Sequence, residues 1–180
     1  MADVDLETPD WLFKDLDEEF HFTLDVCAQP WNAKVERHYA PVDDAIEQPW
    51  DGVCWMHPPY GRDLDVWVSK AWTASQCGAT VVCLLPARPD ADWFHELVLG
   101  MNELDAGADE IRFIRGRLTF EGTGREARFP SMVVVFRPNV ERAKRQPIVG
   151  AIDPDEPPPW FTEPGGTSRV IVIDAVEDRG

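Results

Sequence analysis

Apolar residues recur along the first 136 positions either at helical spacing or as short continuous runs. The helical spacing predicts three helices, and they are "PDWLFKDLDEEF", "DLDVWVSKAWTASQ" and "DADWFHELVLGM". The continuous runs predict five strands, and they are "FTLDVCA", "GVCWM", "ATVVCLLP", "EIRFIRGRLTF" and "SMVVVF". Thr8 or Asp10 could cap the first helix. Helices and strands alternate until the last two strands, which only a polar loop separates.

This order predicts an α/β fold with a mainly parallel sheet and an antiparallel pair of strands at one edge. We expect one domain over residues 1–137. Residues 138–180 form an extension rich in Pro and acidic residues, which is typical of linkers. Within this extension, "SRVIVIDAV" could add a strand to a sheet edge or belong to a poorly ordered tail.

The chain is strongly acidic, with 33 acidic and 17 basic residues and a net charge of −16. Taken alone, this charge disfavours a nucleic-acid partner. In about 1 M salt, however, the screening length falls to roughly 3 Å, and an acidic surface keeps a protein hydrated. The composition therefore suggests a host that lives in concentrated salt, where a nucleic-acid partner is compatible with the charge.

The cysteines and the hydropathy limit the class of protein. Cys27, Cys54, Cys77 and Cys83 lack C-x-x-C spacing, so we expect buried free thiols rather than zinc ligands or disulfides, and no metal site. No apolar run approaches the roughly 18 residues of a membrane span, and the acidic N-terminus is unlike a signal peptide. We therefore expect a soluble intracellular protein without a membrane partner.

Candidate functional residues follow the predicted parallel strands, because ligands of open α/β sheets bind at the carboxyl ends of the strands. Asp25 ends the first strand, where it could cap a turn or accept hydrogen bonds from a cofactor. No glycine follows Asp25 until Gly52, so the chain lacks a glycine-rich phosphate cradle at this strand. A cofactor without phosphates fits this pattern better.

The segment "HPPYG" follows the second strand. It could be an ordinary turn between Pro58 and Gly61. An aromatic ring beside two prolines is also a rigid platform on which an enzyme can stack a base taken out of a duplex. Basic residues follow the later strands and predict a local positive patch, formed by Arg88, Arg112, Arg115, Arg117, Arg125 and Arg128.

In this order, these segments resemble the phage-type DNA N6-adenine methyltransferases. The resemblance covers most of residues 8–136 and leaves out the tail from about Arg137. It rests on "TPDWLFKDLDEEFHFTLDVCA", "NAKVERHY", "WDGVCWMHPPYGR", "WVSKA", "GATVVCLLPARPDADWFH", "EIRFIRGRLTF" and "FPSMVVVF".

The resemblance implies a Rossmann-like class I methyltransferase sheet, S-adenosylmethionine as the cofactor and DNA as the partner. It implies a phage-encoded enzyme that acts in the cytoplasm of its host and methylates the N6 amino group of adenine. The cofactor-binding residues that it implies are Thr8, Pro9, Asp25, Val26, Cys27 and Asp44, with Asp43 as an alternative to Asp44. Its catalytic segment is His57, Pro58, Pro59 and Tyr60. Our choices for contacts to DNA are Arg62, Arg88 and Arg117.

His57 departs from the family pattern, which is Asn or Asp, Pro, Pro, and Tyr or Phe. In the family mechanism this first side chain and the carbonyl of the first proline accept hydrogen bonds from the amino group of a flipped adenine. A neutral imidazole can accept one hydrogen bond, but a protonated one cannot. An unperturbed histidine titrates between about pH 5 and 8, so we expect activity to be lost at acid pH. Alternatively, His57 makes the protein a catalytically silent or redirected nucleic-acid-binding derivative of the fold.

Overall fold

The computed structural model describes residues 7–101, 107–121, 124 and 126–138, and the backbone of 148–151 and 171–174. Two α-helices lie in these ranges, α1 at Asp10–Phe20 and α2 at Leu64–Gln76. The third predicted helix is shorter than expected, because only residues 92–98 are helical, and Phe94–Val98 within them forms a π-helix. Pro41–Asp43 forms one turn of 3-10 helix.

All five predicted strands are present. The sheet consists of β1 (Leu24–Asp25), β2 (Val53–Met56), β3 (Thr80–Pro86), β4 (Glu110–Arg115), β5 (Ser131–Phe136), β6 (Ile148–Ala151) and β7 (Ile171–Asp174). β7 lies within "SRVIVIDAV", so this segment does add a strand to the sheet. The boundary between residues 137 and 138 stays a prediction.

The sheet is mixed and mainly parallel, with the order β1-β2-β3-β5-β4-β6, and β7 also pairs with β4. Among the described strands β5 alone runs in the opposite direction, between β3 and β4. The predicted antiparallel pair therefore exists, but its placement at an edge was wrong. Every residue of β5 is buried. In its interior position, both edges of this apolar strand form hydrogen bonds with neighbouring strands, β3 and β4.

The core has two layers, one on each face of the sheet. On one face Val81, Cys83 and Leu85 pack with α2. On the other face Val82 and Leu84 pack with α1. The alternation along β3 is that of a strand buried on both faces, which explains its continuous apolar sequence.

The structure shows the state of the four cysteines. All four cysteines are free, but Cys77 is exposed and Cys27 is half-buried, so the expectation of buried thiols holds only for Cys54 and Cys83. Within the described ranges, no group of His, Cys, Asp or Glu could hold a metal ion. The same ranges contain no helix long and apolar enough to cross a membrane.

Arg112 is fully buried and is not part of a surface patch, which corrects the predicted basic cluster. Its guanidinium donates two hydrogen bonds of 2.6 Å to the carboxylate of Glu19 and others to Glu110. It also lies 5.2 Å from the ring centre of Phe20. Arg112 therefore ties the end of α1 to β4 on one face of the sheet.

Substitution of Arg112 tests this structural role. Arg112→Ala leaves the Glu19 and Glu110 carboxylates without their buried cation, so we expect a loss of about 3–5 kcal/mol in the free energy of unfolding by urea. Arg62→Ala removes an exposed arginine side chain and is expected to change this free energy by less than about 0.5 kcal/mol. Equal effects of the two substitutions would contradict the assignment.

Candidate active site

The carboxyl ends of three parallel neighbours, β1, β2 and β3, lie along one side of the sheet. As predicted, this brings together Asp25 and the segment after Met56. Pro86 and the residues that follow it lie along the same side. Two openings adjoin the segment 57–60. We call them the His57 cavity, which His57, Pro58 and Pro59 line, and the Tyr60 groove, which Tyr60 lines.

The His57 cavity has a volume of about 350 Å³. It brings together most of the residues predicted to be catalytic or to bind a cofactor, which are Thr8, Asp25, Val26, Cys27, Asp44, His57, Pro58 and Pro59. Pro9 does not line it. That residue precedes α1, and its carbonyl accepts a hydrogen bond from the backbone N–H of Phe13 at 3.1 Å.

Asp25 is buried, and both of its carboxylate oxygens accept hydrogen bonds from the backbone. The N–H of Cys27 donates at 3.2 Å and that of Lys34 at 3.1 Å. Burial raises the pKa of Asp25, and the two backbone hydrogen bonds oppose this shift. Asp25 thus fixes the fold of the loop between these residues, as expected of a residue that caps a turn, and it also lines the cavity. Its contact with a cofactor stays a prediction.

The two adjacent acids Asp43 and Asp44 differ in position. Asp43 accepts a hydrogen bond from the backbone N–H of Ala40 at 2.8 Å and so caps the 3-10 turn. Asp44 takes a left-handed conformation with φ of 50°, is exposed and lines the His57 cavity. The geometry therefore favours Asp44 over Asp43 as a group that meets a ligand.

His57 has a defined set of neighbours. Its Nδ1 lies 2.9 Å from Oγ1 of Thr8, a residue that is itself buried. The imidazole stacks on Phe120 with ring centres 5.6 Å apart, and it meets Tyr60 edge to face at 5.5 Å. Two segments that are distant in sequence, at Thr8 and at Phe120, therefore hold this one ring together with the neighbouring Tyr60.

The environment of His57 keeps its imidazole neutral. Burial, with a smaller contribution from the positive charge of Lys34, lowers its pKa from 6.5 to about 3. The pH window expected for an unperturbed histidine was therefore wrong, because that expectation took no account of burial. With this pKa, we expect His57 to stay neutral between pH 5 and 8 in the folded protein.

Lys34 is a residue at this site that the sequence analysis did not single out. Its ammonium contacts the carboxylate of Asp10 and lies 3.7 Å from Glu121, while its side chain lines the His57 cavity. Glu121 also accepts a hydrogen bond from the backbone N–H of Asp10 at 2.8 Å. Glu121 rather than Thr8 or Asp10 therefore caps α1, and no local sequence pattern could have indicated this pairing over 111 positions.

The Tyr60 groove has a volume of about 860 Å³ and lies beside the start of α2 and the π-helical segment. Tyr60 is half-buried, and its hydroxyl donates a hydrogen bond of 3.4 Å to the carbonyl of Leu84. Arg62 and Arg88 also line this groove, as does Phe129, which lies 5.2 Å from the guanidinium of Arg88. The second opening therefore combines aromatic and cationic groups.

The arginines proposed to contact DNA lie in two places. Arg88 lines the groove and donates two hydrogen bonds of 2.8 Å to Asp90. Arg117 is exposed outside both openings, and its guanidinium donates to the carbonyl of Arg128 at 2.8 Å. Arg125 lies outside the described residues. The structure thus brings Arg62 and Arg88 to the Tyr60 groove but not Arg117.

Comparison with known proteins identifies the family of this chain. The family model described as "DNA N-6-adenine-methyltransferase (Dam)" matches residues 2–153. The chain belongs to this family. It is also 31% identical, over 146 residues, to the DNA N-6-adenine-methyltransferase of Haemophilus phage HP1, strain HP1c1. The match covers 76% of this chain and 81% of the phage protein.

Membership of the DNA N-6-adenine-methyltransferase family confirms the resemblance drawn from the motifs. The family match reaches residue 153 and so extends beyond Phe136, where the motif resemblance ended. It includes β6 and excludes β7. Part of the extension thus belongs to the region that this family shares.

The neutral state of His57 predicts a specific dependence of stability on pH. The unfolded chain binds a proton at this residue below about pH 6.5, whereas the folded chain does so only near pH 3. The contribution of the neutral His57 to the free energy of unfolding is therefore fully present above about pH 6.5 and decreases as the pH falls towards 3. Between pH 7.5 and 5, wild type should lose about 2 kcal/mol more unfolding free energy than His57→Asn. Urea unfolding of both proteins measures this difference, and parallel losses would contradict a buried neutral imidazole.

Proposed function

We propose that this protein is a site-specific, adenine-specific DNA methyltransferase that transfers a methyl group from S-adenosylmethionine to N6 of adenine. The observation that carries the proposal is the position of the segment 57–60 between two openings. His57, Pro58 and Pro59 line one opening, and Tyr60 lines the other. A cofactor in the His57 cavity and a base in the Tyr60 groove would meet at this segment.

The His57 cavity suits a nucleoside cofactor that has no phosphates. Its volume of about 350 Å³ is within the usual range for small-molecule sites. Val26, Trp55 and Trp67 supply apolar walls, while Asp44 and Asn32 supply polar groups at the same cavity. S-adenosylmethionine would bring an activated methyl group on a sulfonium. This fit, with family membership, supports a Rossmann-like class I methyltransferase architecture as part of the proposal.

The Tyr60 groove suits the substrate base. Tyrosine offers a face on which a base extruded from the duplex can stack. The backbone carbonyl of Pro58 and the imidazole of His57 would accept hydrogen bonds from the exocyclic amino group. Such acceptors orient the nitrogen lone pair towards the methyl group, and positioning of this kind supplies several kcal/mol of barrier reduction.

In this proposal His57 accepts a hydrogen bond but does not take up the proton. With a pKa of about 3, its imidazole is too weak a base to hold a proton at neutral pH. The proton released from the amino group therefore passes to solvent rather than resting on His57. The low pKa also keeps a positive charge away from the methyl donor, which is itself cationic.

The acidic composition remains compatible with DNA under the proposed conditions. Cations and acids are equally represented among the residues that line the Tyr60 groove. The cations are Arg62, Lys70 and Arg88, and the acids are Asp65, Asp92 and Glu96. We place the enzyme in the cytoplasm of a phage-infected host, one that is adapted to concentrated salt. Screening there shortens the range of repulsion between the net charge of −16 and the DNA backbone.

A methylation assay tests the proposal. Wild type should transfer labelled methyl groups to adenine in DNA in buffers with 0.1 M and with molar KCl. His57→Ala removes an acceptor, so kcat should fall by about a hundredfold or more. His95→Ala is the matched control, because His95 is exposed and lines neither opening, and it should keep wild-type activity.

The same assay identifies the alternative derived from His57. Wild type that neither methylates DNA nor binds S-adenosylmethionine by calorimetry at either salt concentration would indicate a silent nucleic-acid-binding derivative. His57→Asn then adds a direct comparison with the family motif. A large gain of adenine methylation in that variant would show that the imidazole impairs or redirects the reaction.

Binding to DNA provides a second test, directed at the Tyr60 groove. If Arg88 contacts a phosphate, Arg88→Ala should reduce the slope of log affinity against log salt by about 1. Arg37→Ala is the matched control, because Arg37 is also an exposed arginine paired with one aspartate, Asp51, and lies outside the groove. Fluorescence anisotropy over a salt series measures both slopes. Equal slopes for wild type and Arg88→Ala would remove Arg88 from the interface.

A further inference from the structure

The two ring nitrogens of His57 have different surroundings. Nδ1 has a hydrogen-bond partner, Oγ1 of Thr8 at 2.9 Å. Within the described part of the chain, Nε2 has no such partner, and it is absent from the fully buried polar atoms that lack one. Since His57 lines the cavity and Nε2 is not among these fully buried atoms, Nε2 is the ring nitrogen left for a ligand.

A neutral imidazole carries one proton, so its two nitrogens cannot have the same role. If the Thr8 hydroxyl donates to Nδ1, the proton is on Nε2, and this nitrogen can only donate. If Nδ1–H donates to Oγ1 of Thr8, Nε2 keeps its lone pair and can accept. Methyl transfer as proposed above needs an acceptor for the amino group, and only the second tautomer provides it at Nε2.

The packing around the ring determines its plane but not its tautomer. Phe120 stacks on the imidazole at an interplanar angle of 25°, and Tyr60 meets it edge to face. Neither aromatic side chain forms a hydrogen bond with the ring nitrogens among the described contacts. A rotation of 180° about the Cβ–Cγ bond would preserve these ring contacts in outline and remove Nδ1 from Thr8. The hydroxyl of Thr8 is therefore the group that distinguishes one nitrogen from the other.

We propose that Thr8 is a positioning residue that accepts the Nδ1–H hydrogen bond of His57 and thereby keeps the Nε2 lone pair directed to the substrate amino group. This inference rests on the proposed function, because it is the reaction that requires an acceptor at Nε2. The hydroxyl proton of Thr8 is then left to donate to an acceptor in the His57 cavity, which Thr8 also lines. One hydroxyl would thus connect the occupant of the cavity with the state of the imidazole.

The experiment uses the full chain labelled with ¹⁵N-histidine, with long-range ¹⁵N–¹H correlation spectra at pH 7.5. His57→Asn assigns the signals. In wild type we expect His57 Nε2 to have the shift of an unprotonated ring nitrogen and Nδ1 that of a protonated one. Thr8→Val keeps the shape of the side chain but removes the hydroxyl, so the proton should redistribute towards Nε2. Thr8→Ser retains a hydroxyl and should restore the wild-type spectrum.

Kinetics at saturating S-adenosylmethionine provide the second readout. Thr8→Val should lower kcat about tenfold or more with KM for DNA changed by less than about threefold, since orientation of the acceptor is lost while the DNA contacts stay. Thr8→Ser should recover most of kcat. A wild-type spectrum with the proton on Nε2 would overturn the inference, and so would a Thr8→Val protein with wild-type spectrum and kcat.

Failure of the inference and failure of the proposed function give different results. If no variant methylates DNA but the wild-type spectrum shows the Nε2 lone pair and Thr8→Val shifts the proton, the positioning role stands and the reaction does not. If wild type methylates DNA with the proton on Nε2, the reaction stands and the role of Thr8 is wrong. Thermal unfolding of each variant identifies a purely structural effect, which would change stability without moving the proton and would count against the inference.

Discussion

The parallel pairing of β2 with β1 on one side and β3 on the other is the constraint on which the site depends. Asp25 is opposite Trp55, and Met56 is opposite Cys83, so the three strands end close to one another. Backbone hydrogen bonds fix this register, and the buried side chains on both faces prevent a shift by one residue. Pro58 and Pro59 lack backbone N–H groups, so the chain leaves the sheet after Met56 and forms the segment between the two openings.

Ion pairs and hydrogen bonds join the rest of the molecule to this frame. Arg112 connects β4 with α1 through Glu19. Lys34 and Glu121 hold the first turn of the same helix against the loop that follows β4. Thr8, which lies two residues before the start of α1, is thereby kept next to His57. These charge pairs thus help to position a hydroxyl beside the candidate chemistry.

Much of the fold could be predicted because the sequence patterns that indicate it extend over only a few neighbouring residues. The continuous apolar run of β3 and the two prolines after β2 each indicate structure within a few residues. The same holds for Asp25, whose position at a strand end already placed it at the ligand side of a parallel sheet. Motif order then supplied the family, which the comparison confirmed.

The features that escaped prediction depend on contacts between distant segments. The antiparallel pair of β4 and β5 is not at an edge because β6 and β7, which follow it in sequence, pair with β4. In the sequence, Arg112 looks like a surface cation. Only the folded structure, in which Glu19 lies against it, shows that its guanidinium is buried in an ion pair. The low pKa of His57 arises from burial and from Lys34. Sequence spacing contains no information about these distances.

The separation of the two openings by the segment 57–60 has a consequence for the order of events. Among the described residues, the His57 cavity and the Tyr60 groove share no lining residue. Under the proposed function, the cofactor would enter through the His57 cavity and the DNA base through the Tyr60 groove, so neither would obstruct the entry or exit of the other. Under this proposal the enzyme would be able to exchange its spent cofactor while it remains on the DNA, so several methyl groups would be transferred during a single encounter.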